Sequence, residues 1–172
     1  MSLVVPVSHH DHISGALDAP IVLVEYGDYE CGFCGEAYPV IKAVAERLGD
    51  QLCFVFRNFP LAEAHPHAER AAEIAEAAGV IGQFWPMHDL LFENQAALDD
   101  ESLFQYGMAI GLDQASIMAA LRGHFAERIR RDFVGGVRSG VNGTPCLFIG
   151  GIRYDGSRDA DELYDALLTS RS

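Results

Sequence analysis

The stretch DYECGFCGEAYP, Asp28–Pro39, places two cysteines three positions apart at the boundary between two predicted elements. The apolar run IVLVEY, Ile21–Tyr26, precedes it and is typical of a strand that is buried on both faces. From Gly32 to Leu48 the apolar residues recur at helical spacing, and Gly49 ends that pattern. The cysteine pair is therefore predicted to lie at the first turn of a helix that follows a buried strand.

The composition is that of a globular protein with an acidic surface. The 172 residues are 49% hydrophobic and 22% charged, which fits one domain with a sizeable core and an insertion. Acidic residues number 25 and basic residues 12, and the resulting charge of -13 repels phosphate backbones and anionic membranes. No apolar run approaches the roughly 20 residues that a membrane-spanning helix needs. We therefore expect no nucleic-acid partner and no insertion into a membrane.

The N-terminal sequence and the cysteine count bear on the compartment. MSLVVPVSHHDH lacks the basic segment, apolar core and cleavage site of a secretory signal. Four cysteines are too few for the framework of a small secreted scaffold, so a close pair indicates metal binding or redox chemistry. We expect a cytoplasmic protein; a periplasmic or extracellular location is the alternative if a signal peptide has been removed.

The rest of the chain predicts an α/β fold that is interrupted by helices. QLCFVFRNF, residues 51–59, reads as a second strand, and strand, helix and strand in this order form a parallel crossover unit. Helical patterns fill residues 63–140. The segments CLFIG and IRYDG, joined at Gly150 and Gly151, then predict a tight hairpin before a last helix. Residues 1–62 and 141–172 are thus expected to form one domain, with residues 63–140 as an all-helical insertion.

The position of the cysteine pair predicts two thiols with different properties. Unpaired amide groups and the positive end of the helix dipole stabilise negative charge at a helix start, so the pKa of Cys31 is expected to be low. We expect its thiolate to be open to incoming partners. Cys34, one turn further along, is expected to be more buried and to remain a thiol that attacks Cys31 in a mixed disulfide.

Glu25 is a third candidate, because it stands six positions before Cys31 in an otherwise apolar strand. Its carboxyl group is expected to point into the core beneath the cysteines, since a polar residue in an apolar strand needs a reason. Burial raises the pKa of a carboxyl group, which suits Glu25 to accept the proton of Cys34. The alternative is an exposed glutamate at the end of the strand.

The segment GTP, Gly143–Pro145, directly precedes a predicted strand, and the Thr144–Pro145 bond is a candidate for the cis form. With CGFC, Glu25 and Pro39 within the helix, this order of motifs resembles the thioredoxin superfamily. The helical block narrows the resemblance to the DsbA-like branch of thiol-disulfide oxidoreductases. DHISGALDAPIVLVEYGDYECGFC, HPHAERAAEIAEAAG and FWPMHDLLFENQ are similar to stretches of bacterial members.

The resemblance implies a thioredoxin fold, with a central mixed four-stranded sheet flanked by helices and an inserted helical subdomain. It implies that Cys31 attacks, that Cys34 resolves, and that a cis-proline at Pro145 opposes them. Phe33, Thr144 and Pro145 are the expected substrate-binding residues, with Thr144 offering backbone groups to an extended segment. The dipeptide Gly32–Phe33 is closer to that of bacterial disulfide isomerases than to the proline-first dipeptides of strong oxidants, so the redox direction stays open.

The implied partners are protein or peptide thiols and disulfides, with glutathione as a further candidate and an unidentified protein that recycles the pair. No cofactor is expected, because the dithiol carries its own electrons and no glycine-rich phosphate loop follows a strand. Two other hypotheses remain open: a client-binding module without turnover, and a metal site formed by the pair with His9–His12, His65 or His67. Cys53 and Cys146 are expected to be buried core residues that do not pair with each other.

Overall fold

The computed structural model describes residues 1–171, which form a five-stranded sheet and seven α-helices. The strands are β1 (His12–Ser14), β2 (Ile21–Gly27), β3 (Leu52–Asn58), β4 (Cys146–Ile149) and β5 (Ile152–Tyr154). The helices are α1 (Gly32–Leu48), α2 (Ala68–Val80), α3 (Phe84–Glu93), α4 (Asp100–Ile110), α5 (Gln114–Leu121), α6 (Ala126–Arg138) and α7 (Ala160–Thr169). A single 3-10 turn, Gly49–Gln51, joins α1 to β3.

The sheet is mixed and has the strand order β1-β3-β2-β4-β5. Strands β2 and β3 are parallel, whereas every other neighbouring pair is antiparallel. The predicted α/β fold with a helical insertion is confirmed, and helices α2–α6 all lie between β3 and β4 in the chain. The structure adds a fifth strand, β1, to the four that the sequence predicts; its three residues are too few to show an alternating pattern. The exact boundaries of the insertion stay a prediction.

The central strand β2 separates two layers of core, because successive side chains of a strand point to opposite faces. Leu23 packs in the cluster that contains Cys34 and the buried face of α1. Val24 and Tyr26 pack in the second cluster, on the other face. Glu25 follows the parity of Leu23, so the fold directs its carboxyl group towards α1. This alternation is what places an ionisable group beneath the cysteine pair.

A buried polar cluster joins the helical insertion to the sheet. Asn58, at the end of β3, donates its side-chain amide to Glu76 of α2 at 2.8 Å and to Asp132 of α6 at 3.2 Å. The backbone N–H of Asn58 also donates to Asp132, and His12 of β1 lies 2.9 Å from Glu76. The side-chain amide of Asn58 therefore links β3 to α2 and α6, and Glu76 extends the cluster to β1. Within residues 1–171, no helix is long and apolar enough to cross a membrane.

Replacing Asn58 with Ala is expected to lower the free energy of unfolding by about 1–3 kcal/mol, because Glu76 and Asp132 lose a buried donor. Asn94→Ala is the matched control: the Asn94 side chain bonds only the carbonyl of Leu90 and is exposed, so a change within about 0.5 kcal/mol is expected. Urea unfolding of both variants measures the difference. Equal losses in the two variants would contradict the structural role of Asn58.

Candidate functional site

The cysteine pair lies at the start of α1, directly after the turn that follows β2, as the sequence predicts. Cys31 is the N-cap residue of α1, and its backbone N–H donates to the carbonyl of Asp28 at 3.1 Å. The Cys31 thiol donates to the carbonyl of Thr144 at 3.5 Å, and the Thr144–Pro145 peptide bond is cis. The first cysteine and the loop before β4 therefore meet, although 113 positions separate them.

Hydrogen bonds lower the pKa of Cys31 to about 5. The bond from the Cys34 thiol is the largest cause; burial opposes it, and the neighbouring Thr144 and the amides of Cys34 and Phe33 add to the lowering. These two amides are the free N–H groups of the first helical turn, whose influence on a thiolate the sequence predicts. Cys31 is only 5% exposed, less open than we expected, whereas Gly32 and Phe33 beside it are exposed.

Cys34 is fully buried, and its environment keeps it protonated. Burial raises its pKa well above the ordinary value for a thiol, and the hydrogen bond with Cys31 and the charge of Glu25 raise it further. The pKa values of the two thiols therefore differ strongly. At neutral pH Cys31 is a thiolate, whereas Cys34 would have to lose its proton before it could react.

Glu25 is buried beneath the pair, with 2% of its surface exposed. Burial raises its pKa to about 8; the negative charge of Cys31 adds to the rise, and Arg158 opposes it. Among residues 1–171, its Oε1 atom finds no hydrogen-bond partner. A cavity of about 150 Å³ lies against Glu25 and is also lined by Tyr38, Lys42 and Asp89. Since a water molecule occupies about 30 Å³, there is room for proton-carrying solvent at this carboxyl group.

The expected substrate-binding residues surround the pair on its outer side. Phe33 is 62% exposed, which is unusual for a phenylalanine next to a buried cysteine. Pro145 lines a groove of about 380 Å³ together with Leu147, Tyr154 and the loop of residues 155–158. The structure thus brings Phe33, Thr144 and Pro145 to the same end of the sheet as Cys31, but their contact with substrate stays a prediction.

Two residues that hold this site were not found from the sequence. Gln95, after α3, donates its amide to the carbonyls of Tyr29 and Cys31 at 2.9 Å each. Asp28 is 1% exposed and accepts hydrogen bonds from the turn and from the segment that contains His65. The acidic residues before CGFC were a visible signal, but their partners outside the turn lie more than 30 positions away.

The remaining cysteines and histidines take separate places. Cys53 on β3 and Cys146 on β4 are buried, and β2 lies between their strands, as expected. His12 contacts Glu76, whereas His65 contacts Asp28. In the part of the chain that the structure describes, no three His, Cys, Asp or Glu side chains are grouped so that they could hold a metal ion.

The fold and this site define the class: a thioredoxin-fold protein that carries a dithiol pair and a helical insertion. Comparison with protein families agrees, because the family described as thioredoxin matches residues 8–168. The chain belongs to that family.

Solved structures of DsbA-like proteins have the same fold. A thioredoxin-like oxidoreductase from Silicibacter pomeroyi aligns with a TM-score of 0.83 and 20% identity, over 95% of this chain and 94% of that one. BdbD from Bacillus subtilis aligns with a TM-score of 0.83 and 20% identity, over 93% and 92%. The thiol-disulfide exchange protein alpha-DsbA2 from Wolbachia pipientis gives 0.79 and 22%, over 94% and 87%. The resemblance to the DsbA-like branch is therefore confirmed for the fold.

More similar sequences occur inside longer proteins. The Na(+)/H(+) antiporter NhaA 1 of Mycolicibacterium vanbaalenii is 42% identical over 164 residues, which are 94% of this chain and 27% of that protein. The protein of the same name from Salinispora arenicola is 41% identical over 178 residues, 26% of its length. The chain thus spans about a quarter of these relatives, and their name describes the longer proteins.

Replacing Cys34 with Ala is expected to raise the pKa of Cys31 above about 5, because the thiolate loses its strongest hydrogen-bond donor. Cys34→Ser is the matched control: its hydroxyl keeps a donor at the same position, so the pKa of Cys31 should stay closer to that of the unchanged protein. The pH dependence of Cys31 alkylation measures both. A lower pKa in the Ala variant than in the Ser variant would contradict the assignment.

Proposed function

We propose that the protein is a thiol-disulfide oxidoreductase that exchanges disulfides with protein or peptide substrates through Cys31 and Cys34. The observation that carries the proposal is the inequality of the pair: the pKa of Cys31 is lowered to about 5, while burial raises that of Cys34. A structural disulfide or a buried core pair has no need of such an inequality. The fold shared with thiol-disulfide exchange proteins supports the same function.

The first step is attack by the Cys31 thiolate on a substrate disulfide. A bond forms between Cys31 Sγ and one substrate sulfur, the substrate S–S bond breaks, and the second substrate sulfur leaves with the electron pair. The substrate segment is proposed to lie along the loop of Thr144 and Pro145, in extended form, with Phe33 on its exposed side. The groove beside Pro145 has room for the neighbouring side chains of that segment.

The second step needs a base, and we assign it to Glu25. The Cys31 thiolate is one of the influences that raise the pKa of Glu25, and its charge disappears when the mixed disulfide forms. The pKa of Glu25 therefore falls at the moment when Cys34 must lose its proton. Cys34 then attacks Cys31 Sγ, the substrate leaves as a dithiol, and the pair is oxidised to a disulfide.

The net direction depends on the compartment. Stabilising the Cys31 thiolate stabilises the reduced pair, which makes the couple more oxidising than one of ordinary thiols. Against a cytosolic glutathione poise of roughly -220 to -320 mV, the pair would be held as a dithiol and would reduce or isomerise disulfides. In an oxidising compartment the same pair would accept electrons from substrates. Glutathione and a second protein are the proposed recycling partners, and no cofactor is required.

Cys31→Ser is expected to abolish reduction of insulin disulfides, because the hydroxyl cannot replace the thiolate. Cys53→Ser is the control, since this buried cysteine lies on β3 and should leave the activity within about twofold. Cys34→Ser should trap mixed disulfides with clients, detected by mass spectrometry. Suppression of client aggregation that survives loss of both cysteines, without any reduction activity in the unchanged protein, would favour a client-binding module instead.

Glu25→Gln is expected to slow release of the mixed disulfide by about 100-fold, because the amide cannot accept the proton of Cys34. Formation of the mixed disulfide should change far less, since Cys31 is already ionised at neutral pH. Stopped-flow measurement of the two steps with a labelled peptide disulfide separates them. Equal slowing of both steps would contradict a role of Glu25 in proton transfer.

A further inference from the structure

The groove beside Pro145 lies on the same face of the sheet as the cysteine pair. Leu147 of β4 pairs with Glu25 of β2 on one side and with Tyr154 of β5 on the other, so these three residues form one row across the sheet. Residues opposite each other in neighbouring strands point to the same face. Leu147 and Tyr154 line the groove and pack in the cluster that contains both cysteines of the pair.

The groove is connected to the reacting sulfur through two neighbouring residues. The Cys31 thiol contacts the carbonyl of Thr144 at 3.5 Å, and the next residue, Pro145, lines the groove. Successive residues of an extended chain advance by only about 3.3 Å each. A peptide that lies along this loop with its sulfur at Cys31 therefore brings its neighbouring side chains to the groove.

The β5–α7 loop forms the other wall of the groove and is held in a defined conformation. The Tyr154 hydroxyl donates to the carbonyl of Ser157 at 2.7 Å, and the Ser157 hydroxyl accepts the backbone N–H of Asp159 at 3.0 Å. Gly156 lies against the Tyr154 ring, since a Cβ atom at this position would fall 2.6 Å from it. Arg158 therefore projects from a backbone that is bonded on both sides of it.

Arg158 carries the positive charge of the groove. Within residues 1–171 no ion pair involves it, and its side chain is exposed. The neighbouring carboxylates are engaged elsewhere: Asp155 pairs with Arg153 at 2.7 Å, and Asp159 accepts two backbone N–H groups as the N-cap of α7. Burial raises the pKa of Glu25, and the charge of Arg158 opposes that rise, which agrees with a cation on the side of the groove that faces the pair.

We propose that Arg158 binds a carboxylate of the substrate and gives the protein a preference for peptides with an acidic residue within two positions of the reacting cysteine. This preference rests on the proposed function and names a class of substrate for it. A guanidinium group presents paired N–H donors that match the two oxygens of a carboxylate. The net charge of -13 repels acidic peptides at a distance, but salt screens that repulsion beyond about 8 Å, whereas the contact in the groove is short-range.

The experiment uses peptide disulfides that carry Glu, Gln or Lys at one of the two positions on either side of the reacting cysteine. Stopped-flow measurement gives the rate constant for formation of the mixed disulfide with the unchanged protein, Arg158→Gln and Arg158→Glu. Gln removes the charge and keeps a polar side chain, whereas Glu reverses the charge. Arg122→Gln is the control, because it changes the net charge equally at an exposed position of the helical insertion, at the end of α5.

For at least one position, Arg158→Gln is expected to lower the ratio of the rate constants for the Glu and Gln peptides by about 2- to 5-fold, the range for an exposed ion pair. Arg158→Glu should lower the ratio further, and Arg122→Gln should leave it unchanged. The loss in Arg158→Gln should shrink in 1 M salt.

The same ratio in Arg158→Gln as in the unchanged protein, at all four peptide positions, would overturn the proposal. An equal fall of the ratio in Arg122→Gln would also overturn it, because the effect would then come from the net charge. Failure of every peptide to form a mixed disulfide with Cys31 would instead refute the proposed function, and the preference with it.

Discussion

The chemistry of the site depends on how the protein stabilises one negative charge on the nearly buried sulfur of Cys31. Cys31 is 5% exposed, so its thiolate has little water to stabilise it. Protein donors replace that water: the Cys34 thiol first, and then the amides at the start of α1. The amides are available because the helix begins at Gly32, and the contact with Thr144 requires the loop before β4 to reach the pair.

The neighbouring ionisable groups have pKa values that are pushed apart. The pKa of Cys31 is about 5 and that of Glu25 about 8, while burial holds Cys34 as a thiol. Such a spread identifies which group donates and which accepts protons, and it arises here from depth in the fold. Cys31 lies at the surface end of α1, Cys34 lies one turn deeper, and Glu25 lies on the strand below both.

Local patterns predicted much of this arrangement. The cysteine spacing, the helix start at Gly32 and the position of Glu25 in an apolar strand are short-range features, and each has a direct physical interpretation. The hydrogen bonds of Asp28 to Leu61 and His65, and of Gln95 to Cys31, span more than 30 positions, so no local pattern announces them. Cys31 is also less exposed than the sequence predicted, because the loop of Thr144, 113 positions away in the chain, packs against it.

The helical insertion is coupled to the site through this same region. His65 stands at the point where the chain leaves β3 for α2, and Gln95 stands between α3 and α4. Both contact the β2–α1 turn, so the insertion supplies hydrogen bonds that hold the turn carrying Cys31. Asn58 and its two carboxylate partners fix the insertion to the end of β3. Leu61, the first residue of the following segment that bonds Asp28, lies three positions further along the chain. A substitution in the insertion can therefore change the chemistry of the pair.

The most direct test is the ultraviolet absorbance of the Cys31 thiolate in the reduced protein as a function of pH, with the oxidised protein as the baseline. The account predicts one thiolate that forms with a midpoint near pH 5, and no second thiolate from Cys34 up to high pH. A midpoint near the ordinary thiol value of about 8.5 would contradict it, because the sulfur of residue 31 would then carry no stabilised charge.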